Sequence, residues 1–538
     1  MNSKTFIHIK SKIIPCVLFP AMVGIITGVL IFLFKIASTK IIEISSDIYS
    51  FVRNTPSYLP LLLLGAIVIG SISSLLLKYA KECRGGGIPT AIASIRGLIP
   101  LKWLQGIFGL FFSSLLTYLV GVPLGNEGPS VQMGTAVGKG SSELIGKNKR
   151  AYERYVMTGG ACSGFAIATG APLSGIIFAL EEAHRRFSPT IFMVASISVL
   201  TGSITQGLLS GFFGIDTTFF DLSIDQVLPF KDMWIAVIIG AVCGILAIIF
   251  TQMYKLVRKI DNNKKFNIPF VVKIIIIFFT VAILGFICED FIGSGHSLIE
   301  KILERESLWH IIILALLVRA VLMIFANGEG VSGGVFVPTL AFGAMIAAII
   351  AECFISLNMI DEQYYPILIV VGMISFLSAS SRIPLTALAF AAEALCAVTN
   401  LLPVAIGVVI SYLIAEASNQ ESYTDTVIET RTKALHANRL AVIIDSHMEV
   451  QPGAFAVGME LRDILWPPTC VVLSVNKNHS ALHEHSTKIE EGDVLHLHYQ
   501  TYNTRETLST LAQILGEQPK DKNARIHFGS KNHIIPLE

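Results

Sequence analysis

Gly125-Asn126-Glu127-Gly128-Pro129-Ser130-Val131-Gln132-Met133-Gly134 and Gly334-Val335-Phe336-Val337-Pro338-Thr339-Leu340-Ala341-Phe342-Gly343 are two copies of one pattern. The first glycine, the proline and the closing glycine coincide, and Ser130 pairs with Thr339. A second pair follows in the same order: Ala171-Pro172-Leu173-Ser174 through Phe178, Ala179 and Glu181 matches Ile383-Pro384-Leu385-Thr386 through Phe390, Ala391 and Glu393. Two collinear matches about 210 residues apart mark repeated halves, about 13–210 and 230–416. Repeats with Gly/Pro-interrupted segments in corresponding places are the sequence signature of a transporter whose site lies between its halves near the membrane midplane. The letters alone do not show whether the second half is inverted.

The composition agrees with a membrane setting. Of 538 residues, 53% are hydrophobic and 15% charged, against about 25% charged in soluble domains. The surplus apolar surface needs lipid as its solvent. Forty basic residues against 39 acidic leave no net basic footprint, so nucleic acid is excluded as a partner class. The eight cysteines stand singly without a CxxC pair, which predicts neither a disulfide framework nor a thiolate metal site. No HExxH, P-loop or nucleophile elbow is present, so the chain does not read as an enzyme and calls for no cofactor.

Apolar segments run at 13–37, 58–79, 104–121, 189–209, 232–256, 270–288, 309–326, 338–356, 365–379 and 383–416. Pieces such as 129–144 and 172–183 fall short of the roughly 20 residues a spanning helix needs. They are expected to be helices that stop within the membrane and line a site. Lys4, Lys10 and Lys12 precede the first segment and place the N-terminus in the cytoplasm.

Three turns open short helices: Gly85-Gly86-Gly87-Ile88-Pro89, Gly125-Asn126-Glu127-Gly128-Pro129 and Gly333-Gly334-Val335-Phe336-Val337-Pro338. Proline is tolerated at a helix start, where its missing N–H has no intrahelical role. The glycines expose backbone N–H groups at the positive end of the helix dipole, an anion site with no full positive charge. Glu127 lies inside one such turn, where a carboxylate acts as a tethered anion that occupies the site when ionised and leaves when protonated. Glu181 and Glu182 end an apolar run before His184, Arg185 and Arg186, and one of them is expected to face the bundle as a proton stop.

GxEGP, GxGIP, GGxFxP with a following glycine, and Tyr423 in Glu421-Ser422-Tyr423 together resemble the CLC family of chloride channels and chloride/proton antiporters, over roughly residues 13–432. The resemblance implies an all-α polytopic membrane protein of the CLC fold, with two inverted repeats of tilted and broken helices, working as a homodimer with one pore per subunit. It implies that Glu127 is the external gate and Glu182 the internal proton-transfer glutamate. Anion binding would fall to Gly85, Gly86, Gly87, Ile88, Asn126, Gly128, Val335, Phe336 and Tyr423. The function so implied is exchange of chloride, or a similar monovalent anion, for protons across a prokaryotic inner or plasma membrane. Two positions depart from the chloride-selective pattern: Gly86 stands where serine is usual, and neutral Asn126 where Lys or Arg is usual. The family's fluoride/proton branch departs at the same places, although it lacks the glutamate at the position of Glu182. A fluoride/proton antiporter and a passive voltage-gated chloride channel are therefore the alternatives. Glu329 is read as a solvated loop charge.

From about His436 the texture changes, giving a predicted division into 1–432 (transport), 433–518 (C-terminal domain) and 519–538 (tail). Alternating runs at 441–444, 470–475 and 493–498 predict strands, with helices at Gly458–Leu465 and Thr504–Leu515. The stretch Pro452 to Gly458, with Glu491-Gly492-Asp493-Val494-Leu495, is similar to the RCK C-terminal (TrkA-C) module, which implies a cytoplasmic small α/β regulatory domain with a small ligand, cyclic di-AMP being one option. His483 with His485, and His496 with His498, would share strand faces at period two, read as solvent-facing rather than metal-binding.

Overall fold

The computed structural model describes residues 16–85, 87–143, 149–215, 219–220, 226–261, 268–395, 397–436, 441–477, 480–482, 484, 486–517 and 525–528. Gly86, His483 and His485, and the lysines of the first twelve positions, lie outside the described residues.

The first half runs α1 (Phe19–Asn54), α2 (Leu59–Tyr79), α3 (Ile88–Ile95), α4 (Trp103–Val120), α5 (Glu127–Ser142), α6 (Lys149–Thr169), α7 (Pro172–Phe178) and α8 (Pro189–Phe213). The second runs α9 (Trp234–Asp261), α10 (Phe270–Ile287), α11 (His296–Leu303), α12 (Trp309–Glu329), α13 (Phe336–Ser356), α14 (Tyr365–Ser381), α15 (Pro384–Ala394), α16 (Leu401–Ala417) and α17 (Tyr423–His436). Among the described residues nine helical runs are long and apolar enough to cross a membrane. The interrupted pieces are present as α5 and as α7 continued by a π-turn, Ala179–Ala183. The apolar stretch 383–416 is two helices, α15 and α16, and the first segment continues well beyond residue 37 to Asn54. Apolarity marks lipid and core contact, and it cannot register a break inside a uniformly apolar run.

The repeat is visible in the packing. Gly134 of α5 meets Gly160 of α6 backbone to backbone, and Gly343 of α13 meets Gly372 of α14 in the same way, so a Cβ at any of the four would strike the partner's carbonyl. Gly134 and Gly343 are the closing glycines of the repeated pattern. Without side chains between them, helices approach closely enough for packing forces to hold them where no hydrophobic effect operates.

The repeat is also inverted. Leu173 and Ser174, at the start of α7, donate backbone N–H groups to the Glu393 carboxylate at 2.8 and 2.9 Å. Leu385 and Thr386, at the start of α15, donate theirs to Glu181 at 2.8 and 2.7 Å. Each glutamate near the end of one helix caps the start of its repeat mate, so the two helices run antiparallel about a local two-fold. The charge-assisted bonds satisfy N–H groups that would otherwise be orphaned.

Beyond α17 the chain forms a small sheet domain with β1 (Val442–Glu449), β2 (Val471–Lys477), β3 (Ser480–Leu482), β4 (Val494–Thr501), α18 (Thr504–Leu515) and β5 (Arg525–Phe528). Every pairing is antiparallel, in the order β3-β2-β4-β1-β5. Strand β4 alternates, burying Leu495, Leu497 and Tyr499 against Leu511, Ile514 and Leu515 of α18. Helix α18 has the predicted bounds. The helix expected at Gly458–Leu465 is only a single 3-10 turn, Leu461–Asp463, because the segment spends its polar groups on the helical layer. The Tyr155 hydroxyl accepts from the Leu465 N–H at 3.1 Å, the Arg186 guanidinium donates to the Ile464 carbonyl at 2.9 Å, and the Ser188 hydroxyl donates to Asp463 at 2.6 Å. Tyr152 meets Phe455 edge-on at 4.7 Å. On β4, His496 stacks on His447 at 4.3 Å and His498 bonds Asp445 at 2.7 Å. No cluster that could hold a metal occurs among the described residues.

Candidate anion and proton site

The glycine turns of the two halves meet. Gly125 and Gly334 form a two-residue antiparallel bridge, each N–H donating to the other's carbonyl at 2.7 Å. The third turn closes on the same point: a Cβ at Gly128 would lie 2.6 Å from the Gly334 Cα and 2.8 Å from the Gly87 Cα. Gln132 fixes this arrangement, accepting from the Gly87 N–H at 2.9 Å and donating to the Glu82 carbonyl at 2.8 Å. Tyr118 holds the other side through its hydroxyl on the Gly125 carbonyl at 2.8 Å. Gly85 has φ +57°, a left-handed geometry that suits glycine, and its N–H bonds the Gly330 carbonyl at 2.7 Å. The starts of α3, α5 and α13 thereby converge, and their first-turn N–H groups and dipoles create a positive potential, to which the Arg431 guanidinium beside Gly85 adds.

Glu127 is the first residue of α5 and is fully buried. Its carboxylate lies against Gly125, where a Cβ would collide with it. Neither oxygen has a hydrogen-bond partner among the described residues. His296 stands beside it, with Nε2 3.9 Å from Oε1. Asn126 turns its amide to Ser38 of α1 at 3.3 Å, leaving backbone rather than side chain to face the site.

Tyr423, the first residue of α17, is fully buried, with its ring 5.2 Å from both Phe250 and Tyr254. Its hydroxyl has no partner among the described residues. Such an orphaned buried donor is costly unless a ligand or water satisfies it. Thr424, next in the chain, donates to Glu182 Oε1 at 3.0 Å. Glu182 is 3% exposed within the π-turn, a distortion that recurs at functional sites. The structure also separates the glutamate pair: Glu181 caps α15, so only Glu182 faces the bundle. Val335 is the N-cap of α13, and Phe336 is wedged edge-on between Phe165 at 5.2 Å and Phe390 at 5.1 Å. Ile88, buried, begins α3 at the same junction.

Glu329 is no solvated loop charge. It ends α12 with its side chain 11% exposed, 3.2 Å from Lys273 and 3.9 Å from Arg258. The sequence reading missed this network, and also Tyr118, Gln132, His296 and Arg431, whose guanidinium bonds Thr90 beside Gly85. Gln132 lies inside the repeated pattern but at a position the two copies do not share, and Tyr118, His296 and Arg431 belong to no short motif. Only the proximity created by folding identifies them.

Convergent helix starts around two orphaned polar groups, inside a bundle of spanning and broken helices, define a polytopic membrane protein built around an anion site. The family model described as "Voltage gated chloride channel" matches residues 65–416, and the chain belongs to that family. Its structure is similar to that of a slow cyanobacterial Cl−/H+ antiporter, with 23% identity, a TM-score of 0.70, and coverage of 78% of this chain and 98% of that one. It is also similar to a eukaryotic CLC transporter, with 18% identity, a TM-score of 0.63, and coverage of 78% and 74%. A CLC-type fluoride/proton antiporter aligns with 19% identity, a TM-score of 0.60, and coverage of 75% and 95%. At these identities the likeness is one of fold, and the chain is a CLC-type anion transporter of the membrane.

Proposed function

We propose that this protein exchanges chloride, or a similar monovalent anion, for protons. The observation that carries this reading is the Glu127 carboxylate, fully buried and without a hydrogen bond at the convergence of three helix starts. A carboxylate and a small anion compete for one positive potential, because two like charges repel strongly in a medium of low dielectric. An anion arriving beside the Tyr423 hydroxyl raises the proton affinity of Glu127. Once protonated, the side chain is neutral and leaves the anion's path. Glu182 supplies the second proton stop, held by Thr424 next to the anion-facing tyrosine, on the side of the sheet domain. That side is cytoplasmic in this reading, with the sheet domain as a regulatory module, an RCK-like ligand site as its source of control, and a second copy of the chain completing a homodimer.

Fluoride is the second reading. Asn126 supplies no positive charge and its amide is engaged by Ser38, while position 86 is glycine rather than a hydroxyl residue. The test is proton uptake into proteoliposomes under opposed chloride or fluoride gradients with the membrane potential clamped. Uphill proton movement driven by chloride is expected. Uphill movement driven only by fluoride selects the second reading, and anion flux without proton movement makes the protein a passive channel and removes the role of Glu182.

A further inference from the structure

The outer neighbourhood of Glu127 contains a titratable ring that the gate reading does not use. His296 is the first residue of α11, preceded by Gly295, whose φ of +114° permits the abrupt turn into the helix. Its Nε2 is 3.9 Å from Glu127 Oε1, and its side chain keeps 31% exposure while the carboxylate has none. The imidazole is clamped between Phe219 at 4.8 Å and Phe220 at 4.7 Å. Phe219 in turn meets Phe390, the ring that packs on Phe336 of the anion turn. An aromatic wall therefore runs from the anion turn to the histidine and leaves the imidazole as the polar group between the carboxylate and water.

His296 also faces the membrane side remote from the sheet domain. Helix α1 runs alongside α8, with Gly24 against Ser198 and Gly28 against Gly202, and α8 is capped by Ser188, which bonds Asp463 of that domain; the 36 residues of α1 span roughly 54 Å at about 1.5 Å per residue. Its far end is tied to the segment just before His296: Arg53 pairs with Glu289 at 2.8 Å, and the Tyr49 hydroxyl bonds the Val120 carbonyl at 2.7 Å. The Gly293 N–H then bonds the Gly121 carbonyl at 2.7 Å.

We propose that His296 is the external proton relay of this transporter, loading and unloading the gate carboxylate. This rests on the reading of Glu127 as a proton-coupled gate. In the loading step, the Nε2–H bond of an imidazolium breaks and an O–H bond forms on Glu127, directly after a small side-chain rotation or through one water. The neutral imidazole then takes a replacement proton from external water. Unloading is the reverse. The ring is suited to the task because an imidazole can take up a proton on one ring nitrogen and release one from the other. The groups around it do not compete. Glu127 faces it from α5 with the Tyr118 phenol behind. The Arg319 guanidinium lies behind Gly295 with its donors on the carbonyls of Asp290, Ile292 and Gly293. Lys301 is paired with Asp290 at 3.0 Å, and Glu300 lies exposed one helical turn on.

The experiment measures exchange in oriented proteoliposomes as a function of external pH, for the wild type, His296→Gln, His296→Phe and Glu127→Gln. The wild-type rate is expected to titrate between about pH 5.5 and 7.5. Both His296 variants should lose that inflection and exchange about tenfold more slowly at external pH 7.5, with an unchanged anion-to-proton ratio. With Glu127→Gln in place, His296→Gln should change the remaining anion flux less than twofold. A wild-type profile flat over that range overturns the relay, as does an inflection that survives in either His296 variant. A wild type that moves anions with no protons at any pH overturns the gate reading instead, and so separates the two failures.

Discussion

The two glycine turns that meet at the centre have nearly the same backbone and opposite chemistry. The N-caps Asn126 (φ −91°, ψ −12°) and Val335 (φ −105°, ψ 0°) match, and Gly125 and Gly334 exchange equivalent hydrogen bonds. Yet the residue that opens the helix is Glu127 in one half and Phe336 in the other. The shared backbone builds a positive cradle twice, and the side chains break the symmetry, giving a buried carboxylate in one half and a ring locked between two others in the other. Further along, Glu181 and Glu393 are equivalent caps, whereas Glu182 faces Thr424 and its counterpart is Ala394.

The largest effect is expected where the comparison is broken at the backbone. Gly128→Ala places a methyl group against the Cα atoms of Gly334 and Gly87, whereas the equivalent Val337 already carries a side chain. Overpacking of this kind costs about 1–3 kcal/mol, and because the clash is with backbone at the site we expect at least a tenfold loss of anion flux. Val337→Ala, measured in the same assay, should stay within threefold of wild type. Equal losses from the two would show that the cradle is not as asymmetric as its contacts indicate.

Glu127→Gln removes the charge from the side where it acts. Proton flux should fall below detection while anion flux continues, as read by a pH electrode and a chloride electrode on the same vesicles. Retained uphill proton movement would move the gate elsewhere.

The caps test the symmetric part. Glu181→Gln and Glu393→Gln each replace a charge-assisted pair of bonds to two N–H groups, for which about 1–2 kcal/mol is the ordinary scale. Their thermal midpoints in detergent should drop by similar amounts. A large drop for one alone would mean that only one of the helices depends on its cap.

The smallest effect concerns a residue present in the first half alone. His184 follows the π-turn at the sheet-domain face and bonds Thr158 at 2.8 Å. Burial, and then the nearby Arg154, Arg186 and Arg96, hold its proton affinity well below the usual histidine value. The unfolded chain therefore binds a proton below about pH 6.5 that the folded one does not. Stability should be full above that pH and fall by up to about 1.4 kcal/mol per unit as pH drops below it. His184→Gln should flatten this slope in thermal melts taken from pH 7 to 5. An unchanged slope assigns acid sensitivity to other groups.

The class of the molecule is legible in the amino-acid letters alone. Apolar runs reveal lipid contact because lipid is the only solvent that accepts so much apolar surface, and a repeated Gly-x-x-x-Pro pattern reveals where helices break, because both residues act on their own backbone. Glu127 stood out for a similar reason, lying inside such a turn, whereas Glu182 and Tyr423 were singled out by the resemblance to the CLC family. Tertiary structure decided what depends on distance. It showed the inversion of the repeat through the reciprocal caps, the meeting of Gly87, Gly128 and Gly334, and the division of labour between Glu181 and Glu182. It moved Glu329 from a loop into an ion-pair network and reduced the helix expected at Gly458–Leu465 to a single turn. It alone brought His296 to Glu127, 169 positions away in the sequence. A turn is written in adjacent residues, whereas the fields and competing contacts that give a carboxylate its role come from chain segments with no sequence proximity.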